Sequence, residues 1–500
     1  MISHEGRARA SRWLLAHGPM VALSILVVTL AIGVQRTGHT WGDDFALYLR
    51  QAKSLVDGNI GQVIADNHFN VDNAAKPGFS PYVYPWGFPL LLAPVYRVVG
   101  RDYAAFKLVE VASLVAFLWG FHAVIRRRMD RWVAFATVAF VGTTFAYLVH
   151  TDKVVSELPY MAAATLTLWW LDRIRRGRPL DAATRGQLVA LGLLAMLVFN
   201  IRREGVALVA AIGVAQLLDL RGRWRTADRR AVATPYVAFA GGVVLLQLLL
   251  PSALAPEYAG SGLGQTWKKL DGAFQLAFAR QVGFDELAGI GLLLAVLLVV
   301  AGIAVRLWRA PAEDAPLAVF AIDSMVIVGM IPAVADRYLL AITPFAVYFA
   351  AQAVAAIPLP RRLAPLLATA LLAIGSLVHL ATVRVEIRDA QAFDDAGFVV
   401  DGPETASAQA AFAAIRTYTH QDDVVAFFKV RALTFYTDRR GVQSSDLEIL
   451  RQRSDYFMMR RNTGIGQPWV TADDAEEMGW TEVWSNSEWV LWRLPLYEPG

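Results

Sequence analysis

The chain has no cysteine among its 500 residues, and only 18% of them are charged, against about 25% in soluble globular proteins. Without cysteine it has no disulfide framework, no thiolate metal site and no cysteine nucleophile. It also lacks a P-loop and a Rossmann glycine fingerprint, so no sequence signal points to a nucleotide site. Apolar residues dominate instead: 56% of the chain is hydrophobic, in long recurring runs. These features predict a polytopic α-helical membrane protein.

Apolar runs of about 20 residues, the length that crosses a bilayer as a helix, recur through residues 1–383. We predict about eleven transmembrane helices, near residues 13–34, 104–125, 132–149, 155–171, 186–200, 205–220, 231–250, 286–305, 316–334, 339–357 and 363–383. The first run is not followed by a small-x-small cleavage site, so we interpret it as a retained span rather than a signal peptide. Residues 1–383 are therefore predicted to form one transmembrane domain.

Arginine clusters stand at alternate ends of the predicted spans. They begin at the N-terminus and recur after the second, fourth, sixth, eighth and tenth spans, at 126–131, 173–178, 221–230, 306–309 and 361–362. Since cytoplasmic loops are enriched in Lys and Arg, the N-terminus is predicted to be cytoplasmic, and an odd number of spans places the C-terminal region outside. The net charge of +4 then reflects these loops, and we expect no nucleic-acid partner.

Three segments are predicted to lie outside the membrane: a first loop (35–103), a middle loop (251–285) and a tail (384–500) that forms a small α/β domain. In the tail, "DDVVAFF" and "SDYFMM" predict strands, "RALTFYTDRRGV" a helix or turn, and "TADDAEEMG" a helix with a Thr N-cap. "TEVWSN" and "EWVLWRL" predict a closing hairpin. The basic and aromatic residues of this domain are expected to be solvated surface, with contact to an acceptor as the alternative: Lys429, Arg431, Tyr436, Arg439 and Arg440.

The first external loop opens with "DDFALYLRQAKSLVDG", which predicts an amphipathic helix at the outer interface that stops at Gly58. Asp44, Tyr48 and Ala52 fall on one face of this helix. Taken alone, Asp43 and Asp44 are expected to cap the helix, where its dipole favours carboxylates. The prolines of the following run, "SPYVYPWGFPLLLAPVYRVVG", predict a bent aromatic segment at headgroup level beside the Asp pair.

Five short motifs, in chain order and each on the predicted outer side, resemble those of the GT-C superfamily of polyprenyl-phosphate-sugar-dependent membrane glycosyltransferases. This superfamily includes protein O-mannosyltransferases and lipid A aminoarabinose transferases. Many members have Glu after the catalytic-type Asp, whereas Phe45 follows Asp44 here and Asp43 precedes it. The motifs are Asp44, Tyr48, Ala52 and Gly58; "YPWGFPLLLAP"; Ser156, Glu157 and Pro159; Arg202, Glu204 and Gly205; and Arg337, Tyr338 and Leu339.

The resemblance implies that Asp44, or its neighbour Asp43, is the general base of an inverting displacement, and the spacing to Tyr48 favours Asp44. Burial at the membrane edge is expected to raise the pKa of this base. Arginines at outer span ends, where few cations are expected, are candidates to bind the donor phosphate together with Tyr338: Arg202, Arg203 and Arg337. The candidates for substrate binding are Tyr48, Lys76, Tyr84, Asp152 and Glu157.

Each of these assignments has a structural alternative. Asp152 and Glu157 also suit an ordinary polar turn, and the arginines also suit pairing with neighbouring acids or contact with outer headgroups. His150 lies close to these two acids in sequence, but we expect no metal site and no cofactor.

The predicted function is the transfer of a monosaccharide from a polyprenyl-phosphate donor to a hydroxyl of a glycan, glycolipid or protein. The reaction is placed outside a bacterial plasma membrane, in the cell envelope. The alternatives are a transporter or flippase of a lipid-linked sugar, and a non-catalytic scaffold. Transporters carry polar residues near the bilayer midplane, where Asp323 is the one clear charge in this sequence. This distribution favours the enzyme.

Overall fold

The structure, a computed structural model, describes residues 4–74, 81–254, 266–275, 288–331, 336–360, 362–461 and 466–495. Within these ranges, a bundle of apolar helices is followed by a small α/β domain. The helices of the bundle and its loops are α1 (His4–Gly33), α2 (Asp43–Asp57), α3 (Ile60–Asp72), α4 (Gly87–Val99), α5 (Tyr103–Ile125), α6 (Arg131–Thr143), α7 (Phe145–His150), α8 (Glu157–Ile174), α9 (Arg185–Ile201), α10 (Ala207–Leu220), α11 (Arg229–Leu249), α12 (Thr266–Phe274), α13 (Ala288–Arg309), α14 (Pro311–Met330), α15 (Thr343–Ala355) and α16 (Leu363–Asp395).

Within the described residues, every predicted span overlaps one helix or two consecutive helices, but the helices differ in length. Four of the described helices are long and apolar enough to cross a membrane: Tyr103–Ile125, Arg229–Leu249, Gly289–Arg309 and Leu363–Asp395. Others are shorter than the about 20 residues that a full crossing needs, so the count of eleven stays a prediction. The span predicted at 132–149, for example, is interrupted at Thr144, whose backbone is extended and whose hydroxyl bonds the Phe140 carbonyl at 2.8 Å.

Helix α2 is enclosed by protein rather than lying on the outer interface. Its polar residues Arg50 and Gln51 are only 5% and 0% exposed, because α4 covers one side and the C-terminal domain covers another. Gly58 ends the helix with a positive φ of 75°, which glycine adopts without strain.

The aromatic–proline run divides into a bent part and a helix. Residues 81–86 are bent, as predicted, but α4 begins at Gly87 and accommodates a proline in its first turn. Trp86 and Phe88 are fully buried inside the protein instead of lying at headgroup level. This segment therefore forms a wall of the protein interior.

The C-terminal domain contains a five-stranded sheet in the order β2-β1-β3-β5-β4. Strands β1 (Val424–Ala426), β2 (Arg440–Val442) and β3 (Tyr456–Arg460) are parallel, whereas β4 (Thr481–Ser485) and β5 (Trp489–Arg493) form an antiparallel hairpin next to β3. The two predicted strands, the hairpin and the Thr471 N-cap are confirmed. Strand β2 was not expected. The helices are α17 (Ala406–Tyr418), α18 (Val430–Thr437), α19 (Leu447–Arg453) and α20 (Ala472–Glu477).

Two junctions hold this domain and α2 to the bundle. The Trp41 ring packs against the rings of Phe428 and Trp489, at centroid distances of 5.0 and 5.8 Å. Lys107, buried on α5, donates hydrogen bonds to the carbonyls of Arg36 and Gly38 at 2.6 and 2.7 Å. The predicted domain boundary after residue 383 lies within α16, which continues to Asp395. The start of α2, with the Asp pair, is thereby fixed between bundle and domain.

The predicted topology can be tested by labelling, because the chain has no cysteine of its own. We introduce single cysteines by Ser487→Cys, in the exposed turn of the hairpin, and by Arg176→Cys, in the exposed arginine-rich turn after α8. A membrane-impermeant maleimide added to intact cells should label the Ser487→Cys protein and leave the Arg176→Cys protein unlabelled until the membrane is permeabilised. The opposite labelling pattern would contradict the assigned orientation.

Candidate active site

The Asp pair occupies the first turn of α2, directly after Gly42. The N-cap residue, Gly42, has no side chain, and the two carboxylates lie in the first turn, where the helix dipole favours them without a capping hydrogen bond. Asp44 instead has partners from three other parts of the chain. Its Oδ1 accepts hydrogen bonds from the Tyr84 hydroxyl at 2.6 Å and from Arg431 Nη1 at 3.2 Å. Its Oδ2 accepts one from Arg337 Nη2 at 2.5 Å.

The two neighbouring carboxyl groups are shifted in opposite directions. Burial opposes ionisation of Asp44, but the guanidinium groups of Arg337 and Arg431 outweigh it and hold its pKa below the ordinary range. The expectation of a raised pKa for Asp44 is therefore wrong. At Asp43, burial raises the pKa, and Lys429, 3.9 Å away, offsets only part of this effect. Asp44 thus has the lower pKa of the two adjacent carboxyl groups.

A second acidic group, Glu157, extends the cluster from the first turn of α8. Arg202 Nη1 lies 2.9 Å from its Oε1, and Arg337 Nε lies 3.4 Å from the same atom. Arg337 therefore bridges Asp44 and Glu157. Arg202 also pairs with Glu204 at 2.8 Å, and the Tyr338 ring lies 5.9 and 5.6 Å from the guanidinium carbons of Arg202 and Arg337.

Two stacked tyrosines form another side of the site. The rings of Tyr48 and Tyr84 are 4.7 Å apart and inclined by 27°. The Tyr48 hydroxyl shares a hydrogen bond with Ser156 Oγ at 3.0 Å, and Ser156 in turn accepts one from Arg202 at 3.3 Å. The Asp–Tyr spacing of α2 thus places both side chains at one site, as the helical periodicity predicts.

A cavity of about 460 Å³ opens beside Asp44 and has one polar end and otherwise apolar walls. Arg337 and Arg202 supply cations at the polar end. The cavity is lined by Asp44, Tyr48, Pro81, Val83, Tyr84, Pro85, Ser156, Phe199, Ile201, Arg202, Arg203, Glu204, Val206, Ala253, Leu254, Ile327, Ile331, Arg337 and Tyr338. Such a cavity can hold an anionic group against the arginines and an apolar group along its walls.

Not every candidate residue meets in this cavity. Asp152 pairs with Lys107 at 2.7 Å and accepts a hydrogen bond from the Arg36 backbone N–H at 3.1 Å. It therefore belongs to the junction between α5 and the chain that connects α1 to α2. Arg203 lines the cavity, but its guanidinium donates to Ser252 Oγ and the Ala253 carbonyl at 2.7 and 2.8 Å. Lys76 lies outside the described residues. In the described part of the chain, no three acidic or histidine side chains are grouped to hold a metal ion.

The C-terminal domain contributes a residue that the sequence did not assign to the site. The expectation that Arg431 is solvated is wrong: it is 4% exposed, because α18 packs its face against α2. Tyr436, 6% exposed, is likewise buried, and its hydroxyl bonds that of Tyr103 at 2.8 Å. Arg440 remains half-exposed and pairs with Asp66. In the sequence, the one feature that indicates burial of Arg431 is its position within the mainly apolar run "VRALTF".

Together, the bundle of apolar helices, the C-terminal α/β domain and the charged cavity are typical of a helical membrane protein. No protein-family profile and no curated protein sequence matches the chain. Solved structures do match. ArnT from Cupriavidus metallidurans bound to undecaprenyl phosphate has a TM-score of 0.54 at 13% identity, over 97% of this chain and 98% of that one. The apo state of the same protein has a TM-score of 0.56 at 14% identity, over the same shares of the two chains.

A third similar structure is the oligosaccharyltransferase AglB from Archaeoglobus fulgidus in complex with an inhibitory peptide and a dolichol-phosphate. Its TM-score is 0.53 at 12% identity, over 90% of this chain and 70% of that one. ArnT and AglB are GT-C superfamily proteins, and the chain shares their fold. The resemblance found in the sequence is thereby confirmed at the level of the fold.

The opposite pKa shifts of the Asp pair can be tested without any substrate. In an infrared pH titration, Asp43→Asn should remove a protonated-carboxyl band that titrates above the ordinary aspartate value of about 3.9. Asp44→Asn should remove no such band, because the two arginines keep Asp44 ionised. The exposed Asp395 serves as the matched control, and Asp395→Asn should leave the band of Asp43 in place. A band above that value that disappears in Asp44→Asn would contradict the assignment.

Proposed function

We propose that the protein is an integral-membrane glycosyltransferase that moves a monosaccharide from a polyprenyl-phosphate donor to an acceptor hydroxyl on the extracytoplasmic side. One observation carries the proposal: an ionised carboxylate, Asp44, contacts Arg337 at the polar end of a cavity whose remaining walls are apolar. The GT-C fold supports it, since ArnT with this fold was solved bound to undecaprenyl phosphate. The acceptor is a glycan, a glycolipid or a protein.

The reaction balances as a single displacement at the anomeric carbon. The acceptor oxygen forms the new bond to this carbon while the bond to the phosphate oxygen breaks. The acceptor proton passes to Asp44, and polyprenyl phosphate departs with its negative charge. A carboxylate positioned as base contributes typically 10²- to 10⁴-fold to such a step. Because attack and departure occur on opposite faces, the configuration at the anomeric carbon inverts.

The cluster supplies the groups that this reaction needs. Arg202 and Arg337 are assigned to the donor phosphate, because guanidinium groups bind phosphate oxygens in pairs and stabilise the charge of the leaving group. Tyr338 stacks beside both and orients them. Tyr48 and Glu157 are assigned to hydroxyl groups of the sugar or acceptor. No metal ion has a role in this scheme.

Three other candidates receive supporting roles because of their contacts. Asp152 orients the turn before α8 through Lys107, and Arg203 holds the 252–253 wall of the cavity. Asp43 is not among the residues that line the cavity and lies against Lys429, so it is less suited than Asp44 to accept the proton of the acceptor. The base is therefore assigned to Asp44.

The assignment is tested with purified protein in nanodiscs, a panel of radiolabelled polyprenyl-phosphate monosaccharides and a membrane extract as the acceptor source. Wild type should release sugar from one donor, and Asp44→Asn should lose roughly 10²- to 10⁴-fold of that rate because the base is removed. Asp395→Asn, which changes an exposed carboxylate at the end of α16, is the matched control and should retain the wild-type rate.

Two results would contradict the proposal. If Asp44→Asn kept the wild-type rate, the base would be another group. If no donor were consumed while the protein moved a lipid-linked sugar across a vesicle membrane, the protein would be a flippase.

A further inference from the structure

We propose that the C-terminal domain completes the active site: Arg431 is a positioning residue that, with Tyr84, fixes Oδ1 of Asp44 and leaves Oδ2 as the atom that accepts the proton. While no donor is bound, Oδ2 is held by Arg337, and the donor phosphate frees it by taking Arg337 over. This inference rests on the proposed function and adds which oxygen reacts and when it becomes free.

The two oxygens of Asp44 have different partners on different sides. Oδ1 accepts from Tyr84 and Arg431, whose own atoms are in contact: Arg431 Nη1 lies 3.0 Å from the Tyr84 hydroxyl, and its guanidinium carbon lies 5.1 Å from the ring centroid. Oδ2 accepts from Arg337. Of these two arginines, Arg337 lines the cavity, whereas Arg431 does not. Arg431 therefore holds Asp44 from the side that faces away from the substrate.

The position of Arg431 depends on the docking of the C-terminal domain. Helix α18, which carries it, packs against α2, and the preceding Lys429 lies 3.9 Å from Asp43. The domain thus presents two cations to the two adjacent carboxylates. A guanidinium that is 4% exposed is costly to bury without an anion, so the pairing with Asp44 also stabilises the docked arrangement.

Arg337 has to exchange partners for the reaction to proceed. A guanidinium pairs with a carboxylate or a phosphate through the same N–H donors, so the donor phosphate and Asp44 compete for it. When the phosphate takes Arg337, Oδ2 loses its partner and faces the cavity, while Oδ1 remains fixed. The base thus becomes available only when a donor is present, which suppresses proton transfer in the absence of a sugar to transfer.

Among the described residues, charged and titratable groups approach Asp44 from several segments packed around it. Its own helix contributes Asp43 and Tyr48, and the remaining groups come from the 81–86 segment, the start of α8, the 202–206 turn, the 336–339 turn and α18. They are Tyr84, Glu157, Arg202, Arg337, Lys429 and Arg431. Removing Arg431 takes away one of the two cations that favour the ionised form, so the pKa of Asp44 should rise.

The test measures binding and turnover separately in nanodiscs. Undecaprenyl phosphate is the binding probe. Undecaprenol, which lacks the phosphate, and inorganic phosphate, which lacks the lipid, are tested beside it to show whether binding needs both parts. Arg431→Gln should bind undecaprenyl phosphate as wild type does, yet lose about 100-fold in turnover from misplacement of the base. The acid limb of its kcat profile should move to higher pH.

Three further variants complete the comparison. Arg337→Gln should weaken the binding of undecaprenyl phosphate, and Asp44→Asn should tighten it, because the competing carboxylate is gone. Arg431→Lys should recover part of the lost turnover, since one ammonium replaces the charge but cannot reach both Asp44 and Tyr84. The control is Arg451→Gln, at a side chain of the same domain that is 39% exposed and pairs only with Glu448 among the described residues; it should behave as wild type.

The outcomes separate this inference from the proposed function. If wild type bound no polyprenyl phosphate, the proposed function itself would fail. If wild type bound and turned over but Arg431→Gln matched Arg451→Gln in rate and pH profile, the positioning role would be overturned. Weakened binding in Arg431→Gln, as large as in Arg337→Gln, would instead make Arg431 a phosphate ligand and would also overturn it. If Arg431→Gln does not fold, the same comparison of rate, pH profile and binding is made with Arg431→Lys, and a match to Arg451→Gln would overturn the positioning role.

Discussion

The contact between Asp44 and Arg337 is the interaction on which the arrangement of the site depends. Bringing charged groups out of water is costly, so each must find an opposite charge in the folded protein. Here, Asp44 and Glu157 share Arg337, while Arg202 and Arg431 complete the pairing. The partners come from α2, from α8, from two turns between bundle helices and from the C-terminal domain. Each of these charged groups has a partner of opposite charge only when all of these segments meet.

Other buried polar contacts keep those segments in place. Lys107 fixes the chain between α1 and α2, and Arg203 fixes the wall after α11. At the opposite end of the bundle, a second cluster ties the predicted cytoplasmic turns together, with Arg128 and Arg306 paired to Asp314. The apolar bundle is thus bounded by two charged layers. The layer that contains Asp44, Arg202 and Arg337 lines the cavity of about 460 Å³.

The sequence was sufficient for the features that depend on local pattern. Apolar runs located the helices of the bundle, short β-rich runs located strands of the tail, and spacing placed Asp44 and Tyr48 on one face of α2. Local sequence patterns cannot predict contacts between residues that are far apart in the chain. Arg431 lies 387 residues from Asp44, and no local pattern reports that pairing. In the same way, the sequence could not separate Glu157, which reaches the cluster, from Asp152, which is held by Lys107. The lowered pKa of Asp44 has the same origin, because the sequence pattern indicates burial of this residue but not its pairing with Arg337 and Arg431.

The most direct test of the central claim is a cryo-electron microscopy structure of the full chain in nanodiscs with a polyprenyl-phosphate monosaccharide, using Asp44→Asn to prevent turnover, alongside wild type with undecaprenyl phosphate. The account predicts the phosphate between Arg202 and Arg337 at the polar end of the cavity, with Oδ2 of Asp44 in wild type no longer bonded to Arg337. Phosphate bound elsewhere, with the contact between Asp44 and Arg337 intact, would contradict it.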